Sequence, residues 1–369
     1  MRLLVCAGMT GGGMYPALAV LQALKNRIKD ILWVGSCSGL EKKLLAQYQF
    51  PFKTISAAGV HGIDISHLPH NILQLLKGWR ESKKIIRDFD PHVIFFSGGY
   101  LGIPMSAAAR NIPSVAFIPD IEPGLALKII IRSAEKIAVS TEQSLPFIRE
   151  KNKAKITGYP LRKEIKKWDR KEGRSHFKID NKAKVLLVFG GSKGARSINQ
   201  ALMPILNKLI QDMHVIHITG TDNWNDVQAY IESKSQLGST NYHVFPFLYE
   251  DMGAAFAAAD LAVCRAGAST IGELPYFGLP AIMVPYPYAW HYQHQNAEYI
   301  SKKGGAEIIE DKNLSNDLYR KIVEIISNRK KIISMRKNMQ KLAVLDAGQS
   351  IANLILETGQ IRKSKGGSI

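Results

Sequence analysis

Residues 260–278, DLAVCRAGASTIGELPYFG, decide the fold of this 369-residue chain. Leu261 to Cys264 form a short apolar run of the kind that makes a strand buried on both faces. Small residues then turn the chain, and a helix opens at Ala268-Ser269-Thr270 and carries Glu273. Entry through Gly267 and hydroxyl residues leaves backbone N–H groups unpaired at the positive end of the helix dipole, a place suited to phosphate. Glu273, three residues further in, is near enough to accept hydrogen bonds from sugar hydroxyls, so one helix start suits both ends of a nucleotide. A plain capping turn with a solvated glutamate is the other reading of the same residues.

The same strand–turn–helix alternation extends in both directions. Residues 3–7, 31–34, 93–96, 114–117 and 136–139 read as buried parallel strands with helical periodicity between them, and 185–189, 214–218, 242–245, 261–264, 281–284 and 306–309 form a second set. Two βα arrays in succession predict an α/β chain of two Rossmann-like doubly wound domains, 1–160 and 161–342. The expected linker is 157–174, where Gly158 and Pro160 break structure and Lys163, Lys166, Lys167, Arg170 and Lys171 crowd together without an apolar face. Helices fill 314–356, and 359–369 reads as a basic, frayed tail.

Composition sets the outer limits. A hydrophobic content of 46% supports two packed cores in a chain too long for one. Lys and Arg number 49 against 31 Asp and Glu, which favours phosphate-bearing ligands, nucleic acid or an anionic membrane face as partners. Cys6, Cys37 and Cys264 are odd in number, far apart and set in or beside apolar runs, which reads as reduced core cysteines in a cytosolic protein. The apolar run behind Met1-Arg2 stops at Ala7, too short for a signal peptide, and no stretch of about 18 apolar residues suggests a membrane span.

Each array opens with a strand, glycines and a helix: Gly8-Met9-Thr10-Gly11-Gly12-Gly13 in the first, Gly190-Gly191-Ser192-Lys193-Gly194-Ala195-Arg196 in the second. Both bring backbone amides close enough to hold phosphate. The first spacing is not G-x-G-x-x-G, and the second strand ends at Gly35 where an NAD site wants Asp or Glu, so a redox cofactor is discounted. Lys193 precedes Gly194 instead of following it, so neither loop is a Walker A loop and triphosphate hydrolysis is not expected.

Taken in order, these motifs resemble the MurG family, bacterial glycosyltransferases that add N-acetylglucosamine to the undecaprenyl-linked muramyl-pentapeptide precursor of peptidoglycan. The matches are Thr10-Gly11-Gly12 with Pro16-Ala17-Leu18-Ala19, Gly98-Gly99-Tyr100, Pro123-Gly124-Leu125-Ala126, and Thr157 through Arg162. In the second half come Gly190 through Arg196 with Asn199, Cys264-Arg265-Ala266-Gly267-Ala268 through Glu273, and Gln293 with Asn296-Ala297. Single glycine turns are weak signals, whereas eight motifs in order are specific. The resemblance implies a GT-B fold, with the two domains facing across a cleft and a last helix at about 343–358 crossing back onto the first domain.

Carried over by position, the resemblance puts the UDP-sugar mainly on the second domain. Ser192 and the helix start at Ala268, Ser269 and Thr270, continuing through Ile271 and Gly272, would hold the diphosphate, and Glu273 the ribose. Arg162 would lie near the nucleotide, Tyr249 or Leu248 would offer backbone to the uracil, and Gln293 and Asn296 would read the sugar hydroxyls. Thr10, Gly11, Gly12, Tyr100 and Asp120 would line the substrate side of the first domain. An arginine in a solvated linker, for Arg162, and an exposed helix turn, for Gln293 and Asn296, are the plain alternatives.

The acceptor half departs from the family pattern. Gly13 and Met14 stand where T-G-G-H is usual, and Phe117-Ile118-Pro119-Asp120, leading through Ile121-Glu122 into Pro123, replaces an H-E-Q-N segment. An inverting transfer needs a group to take the proton from the attacking hydroxyl. Asp120 and Glu122 are the candidates, because a strand ending near Phe117 delivers them to the ligand-binding edge of a parallel sheet. Asp120 is alternatively a cap for a helix beginning at Pro123.

Residues 68–89 place Ile72, Leu73, Leu76 and Trp79 at helical spacing with Lys77, Arg80, Lys83, Lys84 and Arg87 around them, which suits an interfacial helix on anionic lipid or an ordinary helix packed on the sheet. Asp88-Phe89-Asp90 spells D-x-D but reads as a helix end before Pro91, and His291 and His294 lack a third clustered ligand, so no metal site and no required cofactor are expected, with a divalent cation on the diphosphate left open but not indicated. No nucleic-acid motif accompanies the basic surface. The reading is a UDP-N-acetylglucosamine-dependent hexosyltransferase acting peripherally at the cytoplasmic membrane face on an undecaprenyl-linked muramyl-peptide. A transferase with another acceptor, a UDP-N-acetylglucosamine 2-epimerase-like enzyme and an impaired UDP-sugar-binding homologue are its alternatives.

Overall fold

Among the residues described by the computed structural model, 1–8, 11–36, 48–58, 68–234, 240–288 and 291–366, the apolar runs fold into two sheets in which every pairing is parallel. The chain divides into two compact units, Met1–Arg162 with Asp346–Ile369, and Lys163–Leu345. The first unit contains β1 (Arg2–Cys6), β2 (Asp30–Gly35), β3 (Phe52–Thr54), β4 (Val93–Phe96), β5 (Ser114–Ile118), β6 (Lys136–Val139) and β7 (Ala154–Ile156), in the order β3-β2-β1-β4-β5-β6-β7. The second contains β8 (Val185–Phe189), β9 (His214–Ile218), β10 (Tyr242–Phe245), β11 (Leu261–Cys264), β12 (Ala281–Met283) and β13 (Ala306–Ile308), in the order β10-β9-β8-β11-β12-β13. Both sheets are doubly wound. Their order reverses beside β1 and beside β8, and such switch points, at the carboxyl ends of the strands, are where this architecture binds ligands.

Central strands sit between helices on both faces, so β1, β4, β8 and β11 are buried almost throughout and had to be apolar runs. The edge strands β3 and β7 were not expected: FKT and AKI are short, half-charged and largely exposed, which suits an edge and hides it from an apolar-run reading. Cys6 and Cys264 are free thiols buried in β1 and β11, while Cys37 lies outside the described residues. No helix among the described residues is long and apolar enough to cross a membrane.

Two expectations are corrected. The basic stretch taken as a linker is folded. Lys163–Lys166 and Arg170–His176 are helices, the second opened by a capping box in which Asp169 accepts from the Glu172 amide and Glu172 accepts from the Asp169 amide. Gly173 lies against the helix Met252–Ala258 so closely that a Cβ would sit 2.6 Å from the Ala254 carbonyl oxygen. Arg174 is wholly buried, bonded to the Ala258, Asp180 and Asn181 carbonyls and paired with Asp260 at 2.9 Å, which also receives Arg170 and the Val185 amide. A long-range polar network of this kind gives basic residues a packed place that local composition does not show. As far as Gly366 the expected frayed tail is likewise helical: Ala347–Gly366 runs without a break, with Thr358 buried and Gly359 packed against Met1 and Val93.

Candidate functional site

A cavity of about 800 Å³ opens in the second unit at the carboxyl ends of β8 and β11. One wall is the glycine loop after β8. Gly191 and Gly194 have φ of +91° and +86°, and the Gly194 amide bonds the Gly191 carbonyl at 3.0 Å. A Cβ on Gly194 would overlap the Thr219 carbonyl oxygen, and one on Gly220 would overlap Gly194, so the two backbones meet where no side chain fits. Residues after β9 clasp the loop from behind: the Thr221 amide donates to the Ser192 carbonyl at 3.3 Å and Asn223 Nδ2 to the Lys193 carbonyl at 3.0 Å. Ser192 is thereby held, exposed, on the cavity wall.

The opposite wall is the turn after β11. Here the amides of Thr270, Ile271 and Gly272 bond back to the carbonyls of Gly267, Ala268 and Ser269 at 3.0–3.2 Å, and Thr270 Oγ1 donates to the Gly267 carbonyl at 2.6 Å. The turn itself therefore uses amides that the sequence reading offered to phosphate. Thr270, Ile271 and Gly272 spend their amides inside the turn, and the amides at the front of the helical geometry are those of Ala268 and Ser269. Asn296 also differs from expectation: it is fully buried, and its Nδ2 donates to the Ala266 carbonyl at 3.0 Å, so it braces this turn from below instead of standing on an exposed surface. Gln293 is on the lining, with Oε1 accepting from the Tyr286 amide at 2.9 Å, a bond that does not use its NH2 group.

Arg265 ties the walls together. Its guanidinium is paired with Asp311, donates to Ser197 Oγ at 2.7 Å and to the Val284 and Pro285 carbonyls, and lies 5.1 Å from the centre of the Tyr286 ring. Asp311 and Asn223 line the cavity and were passed over in the sequence; each follows directly on a strand-exit loop, and that placement was the only signal available. Among the described residues Ala268, Ile271, Gly272, Glu273 and Tyr249 lie off the cavity lining, Glu273 half-buried one turn into the helix Thr270–Phe277 and Tyr249 in the loop between β10 and the helix Met252–Ala258.

Behind the cradle lies a buried polar chain. Tyr242 OH is 2.9 Å from His217 Nδ1, His217 Nε2 is 3.0 Å from Asn199 Oδ1, and Asn199 Nδ2 donates to the Thr219 carbonyl at 2.9 Å. Burial pushes the His217 pKa down to about 3 and raises that of the Tyr242 phenol. His214 and His243, 3.1 Å apart, are also lowered by burial, with Arg174 adding to the first and His214 to the second. A histidine held below its ordinary value of about 6.5 stabilises the fold above that pH and withdraws stability as pH falls toward its folded value. The protein should therefore lose about 2–3 kcal/mol of unfolding free energy relative to a His217→Gln variant, which cannot titrate, from pH 6.5 to 4.5 in urea titrations. A difference constant over that interval would contradict the assignment.

In the first unit the helix Gly11–Leu24 places Gly11, Gly12 and Gly13 at its start, beside the exit of β4; Thr10 lies outside the described residues. A Cβ on Gly13 would stand 2.9 Å from the Ser97 carbonyl oxygen and 3.6 Å from that of Gly8. The missing side chain at this position thus has a structural counterpart, because the β4 exit has closed onto the glycine. Gly13→Ala is expected to cost about 1–3 kcal/mol in urea unfolding by overpacking; an unchanged midpoint would mean that the Ser97 strand end can withdraw. Tyr100 follows Gly98 and Gly99, both in the left-handed region, at the same edge.

Asp120 is half-exposed just beyond β5, on a segment held by Ser140 Oγ, which donates to the Pro119 carbonyl at 3.0 Å, and by Ser144 Oγ, which donates to the Asp120 carbonyl at 3.4 Å. It does not cap the next helix: Leu125–Ile130 has Gly124 at its N-cap. Glu122 is engaged differently from expectation, since its carboxylate accepts from Lys128 Nζ at 2.6 Å and is 16% exposed. Arg162 ends the first unit and is buried at 6% exposure with its guanidinium 4.2 Å from the Tyr15 ring centre, which removes the solvated-linker alternative. Asp88 and Asp90 pair with Arg87 and Arg2, and His294 stands 3.5 Å from Glu310.

Residues 3–139 match the glycosyltransferase family 28 N-terminal domain and residues 185–351 the family 28 C-terminal domain. The UDP-N-acetylglucosamine–N-acetylmuramyl-(pentapeptide) pyrophosphoryl-undecaprenol N-acetylglucosamine transferase of Desulforamulus reducens is 35% identical over 366 residues, 96% of this chain and 98% of that one. The chain belongs to the MurG family. The transferase of the same name from Geotalea uraniireducens is 36% identical over 362 residues, 96% of this chain and 97% of its own. In fold, the chain matches the crystal structure of Acinetobacter baumannii MurG with a TM-score of 0.74 at 24% identity, over 97% of this chain and all of that one. The UDP-GlcNAc 2-epimerase of Neisseria meningitidis bound to UDP-GlcNAc shares the fold at a TM-score of 0.66 and 13% identity. MurG-family membership and these neighbours make the architecture GT-B.

Proposed function

We propose that this chain is an inverting hexosyltransferase that moves N-acetylglucosamine from UDP-N-acetylglucosamine to the muramyl sugar of undecaprenyl-pyrophosphoryl-muramyl-pentapeptide, converting lipid I to lipid II. The observation that carries the reading is the cavity between the glycine loop after β8 and the turn after β11, set in a chain that aligns end to end with transferases of that name. Ser192 and the Ser269 amide hold the diphosphate, Gln293 donates to a sugar oxygen, and Glu273, one helical turn beyond that lining, takes the ribose hydroxyls. Asn296 acts by bracing the turn at Ala266.

In the reaction the acceptor hydroxyl oxygen forms a bond to the anomeric carbon as that carbon's bond to the UDP oxygen breaks. Asp120 takes the hydroxyl proton, and the departing UDP carries away the bonding electrons as added negative charge. Fixed helix-start amides stabilise that charge without reorganising. UDP release assayed with a short-chain lipid I separates the readings: UDP formed only with acceptor present supports transfer, an epimerised sugar nucleotide supports the epimerase-like alternative, and neither product defeats both.

The acceptor is lipid-linked, and the helix Leu68–Phe89 suits the approach to it from the cytoplasmic face as a peripheral protein. Its Gly78, Ser82, Ile85, Ile86 and Phe89 face the interior of the first unit, whereas Ile72, Leu73 and Leu76 are 45%, 64% and 51% exposed. Lys77, Arg80, Lys83, Lys84 and Arg87 are exposed beside them, with Lys83 Nζ 3.9 Å from the centre of the Trp79 ring. Apolar insertion ringed by cations fits an anionic bilayer surface. The double variant Leu73→Glu, Leu76→Glu should lose at least about tenfold in partitioning to anionic vesicles. Undiminished co-sedimentation, or binding indifferent to anionic lipid, would remove this part of the reading.

A further inference from the structure

The polar chain Tyr242–His217–Asn199 ends on the carbonyl against which the glycine loop rests, and its hydrogen bonds run in one direction. Asn199 Nδ2 donates to the Thr219 carbonyl at 2.9 Å, so Asn199 Oδ1 is the acceptor facing His217 Nε2 at 3.0 Å. His217 therefore carries its proton on Nε2, and Nδ1 accepts from the Tyr242 hydroxyl at 2.9 Å. His217 is 0% exposed and Asn199 3%. The register explains the placement: His217 pairs with Val188, one residue before the end of β8, so it sits beside the end of the strand from which the loop emerges.

An aliphatic residue would serve the sheet as well, since the neighbours of His217 in β9 are Ile216 and Ile218. A buried imidazole is costly unless its partners use it. Here they do. Thr219 receives Asn199, Gly220 with φ of +83° abuts Gly194, and Thr221 and Asn223 bond the Ser192 and Lys193 carbonyls. We infer that His217 and Tyr242 are positioning residues for the nucleotide diphosphate: through Asn199 they fix Thr219 and Gly220, and those two residues fix the loop that carries Ser192. The inference rests on the reading of this cavity as the UDP site.

Calorimetry with UDP, alongside steady-state kinetics and thermal midpoints, tests it on the full chain. His217→Leu should weaken UDP binding and raise the donor KM by about tenfold or more with the acceptor KM unchanged, because the loop is loosened while the first unit is untouched. His217→Gln, whose amide N–H can replace Nε2–H, should stay within about threefold of the parent. Tyr242→Phe should weaken UDP two- to fivefold, roughly the loss of one buried hydrogen bond, at a near-native midpoint. If His217→Leu does not fold, the other two variants decide. Failure of the unmodified protein to bind UDP would defeat the donor-site reading itself. Binding by the parent, with Tyr242→Phe equal to it or His217→Gln no better than His217→Leu, would overturn the positioning role alone.

Discussion

Gly194→Ala is expected to lower UDP affinity by at least about a hundredfold while the rest of the second unit stays folded. The new methyl group would fall on the Thr219 carbonyl oxygen and stand 2.7 Å from Asn223 Nδ2, in a residue whose φ is +86°. Left-handed backbone costs an alanine about 1–2 kcal/mol, and forcing an extra carbon into packed surroundings about 1–3 kcal/mol. Both costs are relieved by pushing the loop away from Thr219 and Gly220, which moves Ser192. Gly267→Ala is the matching control for folding alone, since Gly267 lines the cavity but a Cβ there meets nothing within 4 Å and φ is unexceptional. It should fold normally. Calorimetry showing UDP bound equally well by Gly194→Ala would mean that the cradle is not shaped by this contact.

Asp120→Asn is expected to fold, to bind UDP-N-acetylglucosamine as before and to turn over more slowly by about 10²–10⁴, the usual contribution of a positioned general base. Asparagine keeps the shape and removes the proton acceptor. Two observations support this reading of the base: Glu122 is engaged with Lys128, and the N-cap of the next helix is Gly124 in place of Asp120. Glu122→Gln should accordingly do far less to kcat. Near-normal turnover in Asp120→Asn would return the question to the β4 exit, where Gly13 has closed against Ser97.

Most of the fold was legible because buried parallel strands must be apolar runs, and β4, β6, β8, β9, β10 and β11 lie at the positions the sequence indicated. What escaped was set by distant partners. β3 and β7 are edge strands whose charged residues face solvent, and the helix Arg170–His176 owes its place to Gly173 against Ala254 and to Arg174 against Asp260. The C-terminal helix continues past Gly359 because Met1 and Val93 pack on it.

At the site, the glycine loops announced themselves by composition, but the orientation of their amides did not. Thr270, Ile271 and Gly272 are consumed by their own turn, and Asn296 points into the structure because Ala266 needs a donor. His217 gave only the weak signal of one polar residue in an apolar strand, and its meaning depends on Asn199 and Tyr242 arriving from elsewhere in the sequence.

The most direct measurement is the mass of the lipid product after incubation with UDP-N-acetylglucosamine and synthetic lipid I. The account predicts an acceptor heavier by one N-acetylhexosamine residue, formed together with an equal amount of UDP. Unchanged lipid I, under conditions where the Desulforamulus reducens transferase forms the adduct, would contradict it.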